Sequence, residues 1–175
     1  MTSTLERELH QTKPFRNLET EAVLSIVRTA GLLGQQIADA LRPHGLTTTQ
    51  YNVLRILRGM GEEGLCRYEV GERLLTPVPD VTRLLDRLEE AGFVGRSRDP
   101  EDRRQSRARI SPRGLALLER LDDTLDELHR RQVGHLGEPR LRQLIELLAT
   151  ARANRVEPAA ACSPPDHADP ADAPG

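Results

Sequence analysis

Apolar positions along this chain recur at helical spacing, then at strand spacing, then at helical spacing again. After Leu18, residues Ile26, Ala30, Leu33, Ile37 and Leu41 follow one another in steps of three and four, the rhythm of one helix face. The rhythm stops at "RPHG", where Pro43 and Gly45 break a helix. It resumes in "LTTTQYNVLRIL": Thr47 with Gln50 three residues on is a capping-box pair, and Val53, Leu54 and Leu57 then share a face. "RGMGEEG" reads as a turn and Arg67 to Leu75 as a short helix. In "LLTPVPDVTRLLDRLEEAG" Thr76 suits an N-cap and Pro77 the first helical position. Pro79 still falls in the first turn, where N–H groups lack intrahelical partners. Val81, Leu84, Leu85 and Leu88 predict the buried stripe of that helix, and Gly92 its end.

After Gly92 the period drops to two. Val94, Arg96 and Arg98 fall on one side of a strand, "DPED" supplies a turn, and Ser106, Ala108 and Ile110 then alternate with Arg107 and Arg109. This predicts a β-hairpin with a basic face. Ser111 and Pro112 open another helix, in which Leu118, Leu121, Leu125 and Leu128 repeat in a three-four-three spacing suited to a helix–helix seam. Beyond "GHLGEP", Leu141, Leu144, Ile145 and Leu148 predict a last amphipathic helix. Residues 1–17 are weakly periodic and read as a partly ordered arm. Residues 157–175, rich in Pro, Ala and Asp, read as a disordered tail. The expected fold is mainly α with a small β-hairpin wing: a winged helix-turn-helix lobe over residues 46–111, between helical segments at 18–45 and 112–156. The stripes at Ile26–Leu41, Leu118–Leu128 and Leu141–Leu148 exceed what a compact winged helix covers alone, so the flanking segments are expected to dimerise.

Composition narrows the chemistry. No apolar run approaches the ~20 residues that cross a bilayer, so no membrane partner is expected. No basic segment leads into an apolar core near Met1, and Cys66 and Cys162 are too few for a disulfide scaffold; the expected compartment is the cytoplasm. His10, His44, His129, His135 and His167 are scattered without a His-x3-His or Cys-x2-Cys pair, so no metal is expected. With no phosphate-cradling glycine loop, Gly-x-Ser-x-Gly elbow or His-Glu-x-x-His, nothing supports an enzyme or calls for a cofactor.

The formal charge is only -2, yet "RSRDPEDRRQSRARI" gathers Arg96, Arg98, Arg103, Arg104, Arg107 and Arg109 around Asp99, Glu101 and Asp102. Lys13 is the only lysine in the chain. Guanidinium pairs bidentately with phosphate or guanine, although a bias towards arginine can also reflect a G+C-rich genome. Location decides between these readings. A helix with Thr82, Arg83 and Arg87 outermost, entered through Pro79 and Asp80, fits the major groove of double-stranded DNA. The hairpin would follow the backbone with its tip beside the minor groove, where arginine meets enhanced negative potential. The acidic residues would hold neighbouring arginines so that one guanidinium points outward. Net charge is no obstacle, because binding responds to the local field. RNA fits less well, for want of stacking aromatics.

"DRRQSRARISPRG" resembles the wing signature of the MarR family of winged-helix transcription regulators: Asp-x-Arg, five residues, Leu/Ile-Thr/Ser, two residues, Gly. The matching residues are Asp102, Arg104, Ile110, Ser111 and Gly114. "VTRLLDRLEEAGFV" is similar to the family's recognition helix running into its wing, and "GLTTTQYNVLRIL" to the segment before the helix-turn-helix. The resemblance covers roughly Leu18 to Thr150. It implies that Arg104 enters the minor groove with Asp102 as its brace, and that Thr82 and Arg83 contact the major groove. It also implies a homodimer of the first and last helices on a pseudo-palindromic operator, repression, and release by a small aromatic or anionic effector. The proline-rich "TPVPD" entrance departs from the family pattern and could shift the base-reading set.

For an effector, His44 and Tyr51 stand near the expected junction as polar handles; the plainer reading makes them a turn residue and a core filler. Cys66, beside Arg67 at a helix start, is a candidate redox residue, since a nearby cation favours thiolate. The competing reading is an inert, buried cysteine. A redox-responsive regulator, or an architectural DNA-binding protein without an effector, are the alternatives.

Overall fold

A computed structural model describes residues 3–98 and 106–154. The chain divides into two units at His135/Leu136. In the first, Ser3 and Glu6 form a capping box that starts a one-turn helix α1 (Thr4–Glu8). The Glu6 carboxylate accepts the Ser3 N–H at 2.6 Å and the Phe15 N–H at 3.0 Å, and Leu5 is buried. Residues 3–8 are therefore more ordered than weak periodicity suggests, because the capping is polar and leaves no apolar rhythm to read.

Asn17 caps α2 (Leu18–Leu41) by accepting the Thr20 N–H at 2.8 Å. The helix ends in the turn Arg42–His44 with Gly45 left-handed. The predicted box at Thr47 and Gln50 is closed in both directions, at 2.9 and 3.2 Å, and starts α3 (Thr48–Met60). Val53, Leu54 and Leu57 are fully buried and form the centre of the core. A two-residue strand, β1 (Leu65–Cys66), leads directly into α4 (Arg67–Arg73).

The recognition helix begins later than predicted. Helix α5 spans Val81–Glu90, and its N-cap is Asp80, whose Oδ1 accepts the Arg83 N–H at 2.8 Å. Thr76, Pro77 and Pro79 lie outside it. The physical reason is that each proline disfavours helical geometry at the residue before it, so Pro77 and Pro79 hold Thr76 and Val78 out of a helix. Leu85 and Leu88 are buried, and Val81 and Leu84 pack against the same core. Gly92, at φ 73°, closes α5: its N–H donates to Glu89 O and that of Phe93 to Leu88 O, a paired arrangement that satisfies two terminal carbonyls.

Strands β2 (Val94–Arg98) and β3 (Ser106–Ile110) pair antiparallel with Val94 opposite Ile110 and Arg96 opposite Ala108. β1 pairs with the other edge of β3, so the predicted two-stranded hairpin is a three-stranded sheet in the order β1-β3-β2. Two residues are too few for periodicity to reveal a strand. Gly64, at φ 64°, lets the backbone enter β1: a Cβ there would lie 2.6 Å from the Ala108 carbonyl oxygen.

Ser111 caps α6 (Pro112–Val133), accepting the Gly114 N–H at 3.0 Å while its hydroxyl donates to Gly92 O at 2.7 Å. Leu118, Leu121 and Leu125 are fully buried within this single chain, against the expectation that their stripe exceeds what the lobe covers. They fill the space above α3, where Arg58 clasps Asp122 at 2.7 and 3.1 Å. In the second unit α7 (Glu138–Ala153) follows Gly137, with Pro139 in its first turn and Ile145 and Leu147 exposed. Residues 157–175 lie outside the described part of the chain.

Candidate nucleic-acid interface

The surface that carries arginine is built by α5 and the sheet beside it. With Leu85 and Leu88 turned into the core, the helical period leaves Thr82, Arg83 and Arg87 exposed. Arg83 and Arg87 stand four residues apart, hence on one face. Pro79 and Asp80 are exposed at the entrance, where the Asp80 carboxylate is engaged in capping. Among the described residues, the expected outer face of α5 is therefore formed.

The strand arginines are placed differently. Register puts Arg96 on the same side as Val94 and Ala108, both buried, so it lies on the inner face of the sheet rather than on a solvent-facing basic one. Its Nη2 is 2.7 Å from Asp86 Oδ1 and its Nε 3.4 Å from Glu89 Oε2. Arg107 donates to the carbonyls of Glu63 and Gly64 at 2.9 and 3.1 Å and lies 3.7 Å from the Glu69 carboxylate. Arg109 donates to Glu62 O and to the Ser97 hydroxyl. These arginines tie the sheet to α5 and to the turn before β1. Asp86, Glu89 and Glu69 are partners that sequence reasoning missed; the spacing of Thr82, Asp86 and Glu89 along one helix face was the available signal. Arg98 closes β2 opposite Ser106. Asp99, Glu101, Asp102, Arg103 and Arg104 lie outside the described residues.

Comparison with known proteins agrees with this geometry. The MarR family model matches residues 44–105. The crystal structure of a MarR transcription factor from Planctomyces limnophilus is 37% identical, with a TM-score of 0.60, and the match covers 78% of this chain and 98% of that one. The chain belongs to the MarR family. A regulator of Methylorubrum extorquens, the HTH-type transcriptional regulator TtmR, is 35% identical over 107 residues, covering 61% of this chain but only 54% of TtmR. CouR of Rhodococcus jostii, in a structure bound to p-coumaroyl-CoA, is 25% identical with a TM-score of 0.68, covering 82% of this chain and all of CouR.

In this MarR-family chain a cleft of about 660 Å³ opens between α2, α3 and the end of α6. Tyr51, Asn52, Arg55 and His129 line it, with Ile37, Ile56 and Leu75 as apolar wall. Tyr51 is half-buried, and its hydroxyl accepts from Arg55 at 2.9 Å. His44 is exposed in the turn after α2 and does not line the cleft; His129, whose position in sequence suggests only a surface group, does. The Asn52 side chain also accepts the Leu75 N–H at 2.9 Å, tying the cleft to the connection that leads into α5.

Cys66 is half-buried in a hollow of about 330 Å³ lined also by Thr82, Leu85 and Arg96. The cation next to it in sequence is engaged by an aromatic neighbour: Arg67 stacks 4.5 Å from the Tyr68 ring centre and donates to its hydroxyl, and both side chains line the same hollow. The Cys66 backbone N–H donates to the Glu69 carboxylate, 2.8 Å away, and is the chief cause that holds that carboxyl below its ordinary range. Among the described residues no group of three His, Cys, Asp or Glu stands together as a metal site, and no helix is long and apolar enough to cross a membrane.

Proposed function

We propose that this chain is a homodimeric regulator that binds a pseudo-palindromic operator in double-stranded DNA, represses transcription there, and lets go when a small anionic or aromatic molecule binds. The observation that carries the reading is the exposed face of α5, with Thr82, Arg83 and Arg87 beside the sheet whose strands β2 and β3 flank an arginine-bearing segment of the sequence. A helix presenting that set fits the major groove, and Arg104 with Asp102 as its brace would take the minor groove. Arg98 and Arg103 would reach backbone phosphates.

Dimerisation is supported by α2, which buries only Leu41 of its 24 residues and leaves Val23, Ile26 and Val27 about half exposed or more. A symmetric pair would present two α5 helices about one DNA turn apart, roughly 34–36 Å. Effector release is supported by the cleft at Tyr51, Arg55 and His129, where a guanidinium, a hydroxyl and an imidazole surround apolar wall. CouR's complex with p-coumaroyl-CoA shows an aromatic acyl thioester as ligand of a related protein.

The test is titration of the protein against DNA from its own upstream region, with excess competitor and a salt series. Steep salt dependence with resistance to competitor is the expected result. Binding that competitor abolishes would make this an architectural DNA-binding protein, and no binding to any duplex at low salt would end the DNA reading.

A further inference from the structure

We propose that Arg96 is a positioning residue that locks the wing to the recognition helix, so that the two meet duplex DNA as one rigid reader, and that it contacts no phosphate itself. The inference rests on the DNA-binding reading above. One guanidinium meets three oxygens along one side of α5: its Nη2 lies 2.7 Å from Asp86 Oδ1 and donates to the Thr82 carbonyl at 3.3 Å, and its Nε lies 3.4 Å from Glu89 Oε2, an ion pair without a hydrogen bond. Spacings of four and three place those residues on one helix face over two turns. A contact at one point would fix only the distance between strand and helix. Contacts along two turns also fix the rotation of α5 about its axis, and that rotation decides where Arg83 and Arg87 point.

Two features keep Arg96 from serving as a phosphate ligand. Its side chain is 21% exposed, against 47% for Asp86 and 43% for Glu89, so the guanidinium is the shielded partner. Its Nε is closed off from solvent and makes no hydrogen bond, facing Glu89 as an ion pair only. Leaving would strand two carboxylates, without their cation, beside a polyanion. Moreover, Arg96 sits opposite Ala108 on the inner face of the sheet, and a side chain cannot cross the sheet to reach the outer one.

The distinction is measurable, because phosphate contacts and positioning contacts respond differently to salt. A duplex is first selected by the wild-type protein from a random-sequence pool, and binding to it and to a scrambled duplex is then followed by fluorescence anisotropy across a salt series. For Arg96→Ala, affinity for the selected duplex is expected to fall about 10- to 100-fold, the scale on which small misplacements of a site act. Affinity for the scrambled duplex and the salt slope should stay as in the wild type. If instead both affinities fall and the slope drops by about one, Arg96 is a phosphate contact and the proposal fails.

Asp86→Asn combined with Glu89→Gln gives an independent test with opposite signs, should Arg96→Ala unfold. Removing two negative charges near DNA should tighten both complexes if only electrostatics acts. Positioning requires that the selected duplex bind more weakly, and tighter binding to it would overturn the proposal. Arg96→Lys, which keeps the charge but cannot span Thr82, Asp86 and Glu89 together, should fall between wild type and Arg96→Ala. A wild type that selects no sequence at all would defeat the DNA-binding reading itself, and the positioning role with it, before any variant is compared.

Discussion

Helices α2 and α6 have similar lengths, 24 and 22 residues, and similar apolar repeats, yet they end in different surroundings. Helix α6 buries Leu117, Leu118, Leu121 and Leu125 inside its own chain, whereas α2 buries Leu41 and leaves Val23, Ile26 and Val27 open. The difference comes from what lies across from each. Helix α6 starts at the end of β3, is capped by Ser111, and lies along α3, to which Asp122 fastens it. Helix α2 meets α3 and α6 along its later turns, where Gln132 donates to Leu33 O and to Gln36, while its earlier turns share a groove with Thr4, Leu5 and Glu8 of α1 and keep Val23, Ile26 and Val27 exposed. An apolar stripe states that a face needs covering. It does not state by what.

The largest expected effect tests the open face of α2. If a second copy covers it, Ile26→Glu with Val27→Glu places four charges in a symmetric interface and should raise the dimer dissociation constant roughly 10³-fold or more. Analytical ultracentrifugation would show it, and an unchanged assembly would mean the dimer uses another surface. On α6 the expectation is the reverse. Leu121→Ala should cost about 2–5 kcal/mol of folding stability through the cavity it leaves, read by chemical denaturation, with a loss under 1 kcal/mol arguing that α6 is not anchored as described.

The caps sharpen the contrast more gently. Ser111→Ala removes a cap and a donor to Gly92 O and should cost about 1–2 kcal/mol. Asn17→Ala, at the exposed start of α2, should cost nearer ~0.5 kcal/mol. Equal melting-temperature shifts would contradict the idea that α6 alone is tied to the lobe at its start.

The smallest effect is in acid. Hydrogen bonding to the Arg58 guanidinium holds the Asp122 carboxyl below its ordinary value, so this pair stabilises fully above the unfolded carboxyl range and loses its contribution as pH falls through the folded one. Asp122→Asn should therefore lose stability at neutral pH and show a shallower decline below about pH 4 than the wild type. Parallel curves would show that this pair, about a third exposed, contributes nothing.

Much of this arrangement was legible from residue order. The Thr47–Gln50 box, the core positions of α3, the stripe of α5, Gly92 as its end and the alternation of β3 all follow from local geometry, and local geometry is what sequence encodes most directly. The start of α5 was misplaced because two prolines can suit a first helical turn or forbid one, depending on what the residues before them do. The polar lining of the cleft was half legible. Tyr51 lies in it, but His44 does not, and His129 enters from a helix 85 residues away in sequence from His44.

By itself the sequence determined the elements, the core face of most of them and the concentration of arginine beside a helix suited to DNA. Only the tertiary structure decided which arginines that helix and sheet consume. Charge is visible in a sequence, but its partner is not. Arg96 meets Asp86 and Glu89 only because strand register turns it inward and the closing turn at Gly92 brings β2 back along α5. Pairing across such a turn depends on three-dimensional distance, where Coulomb and hydrogen-bond energies fall within a few ångströms, and residue order alone does not carry that distance.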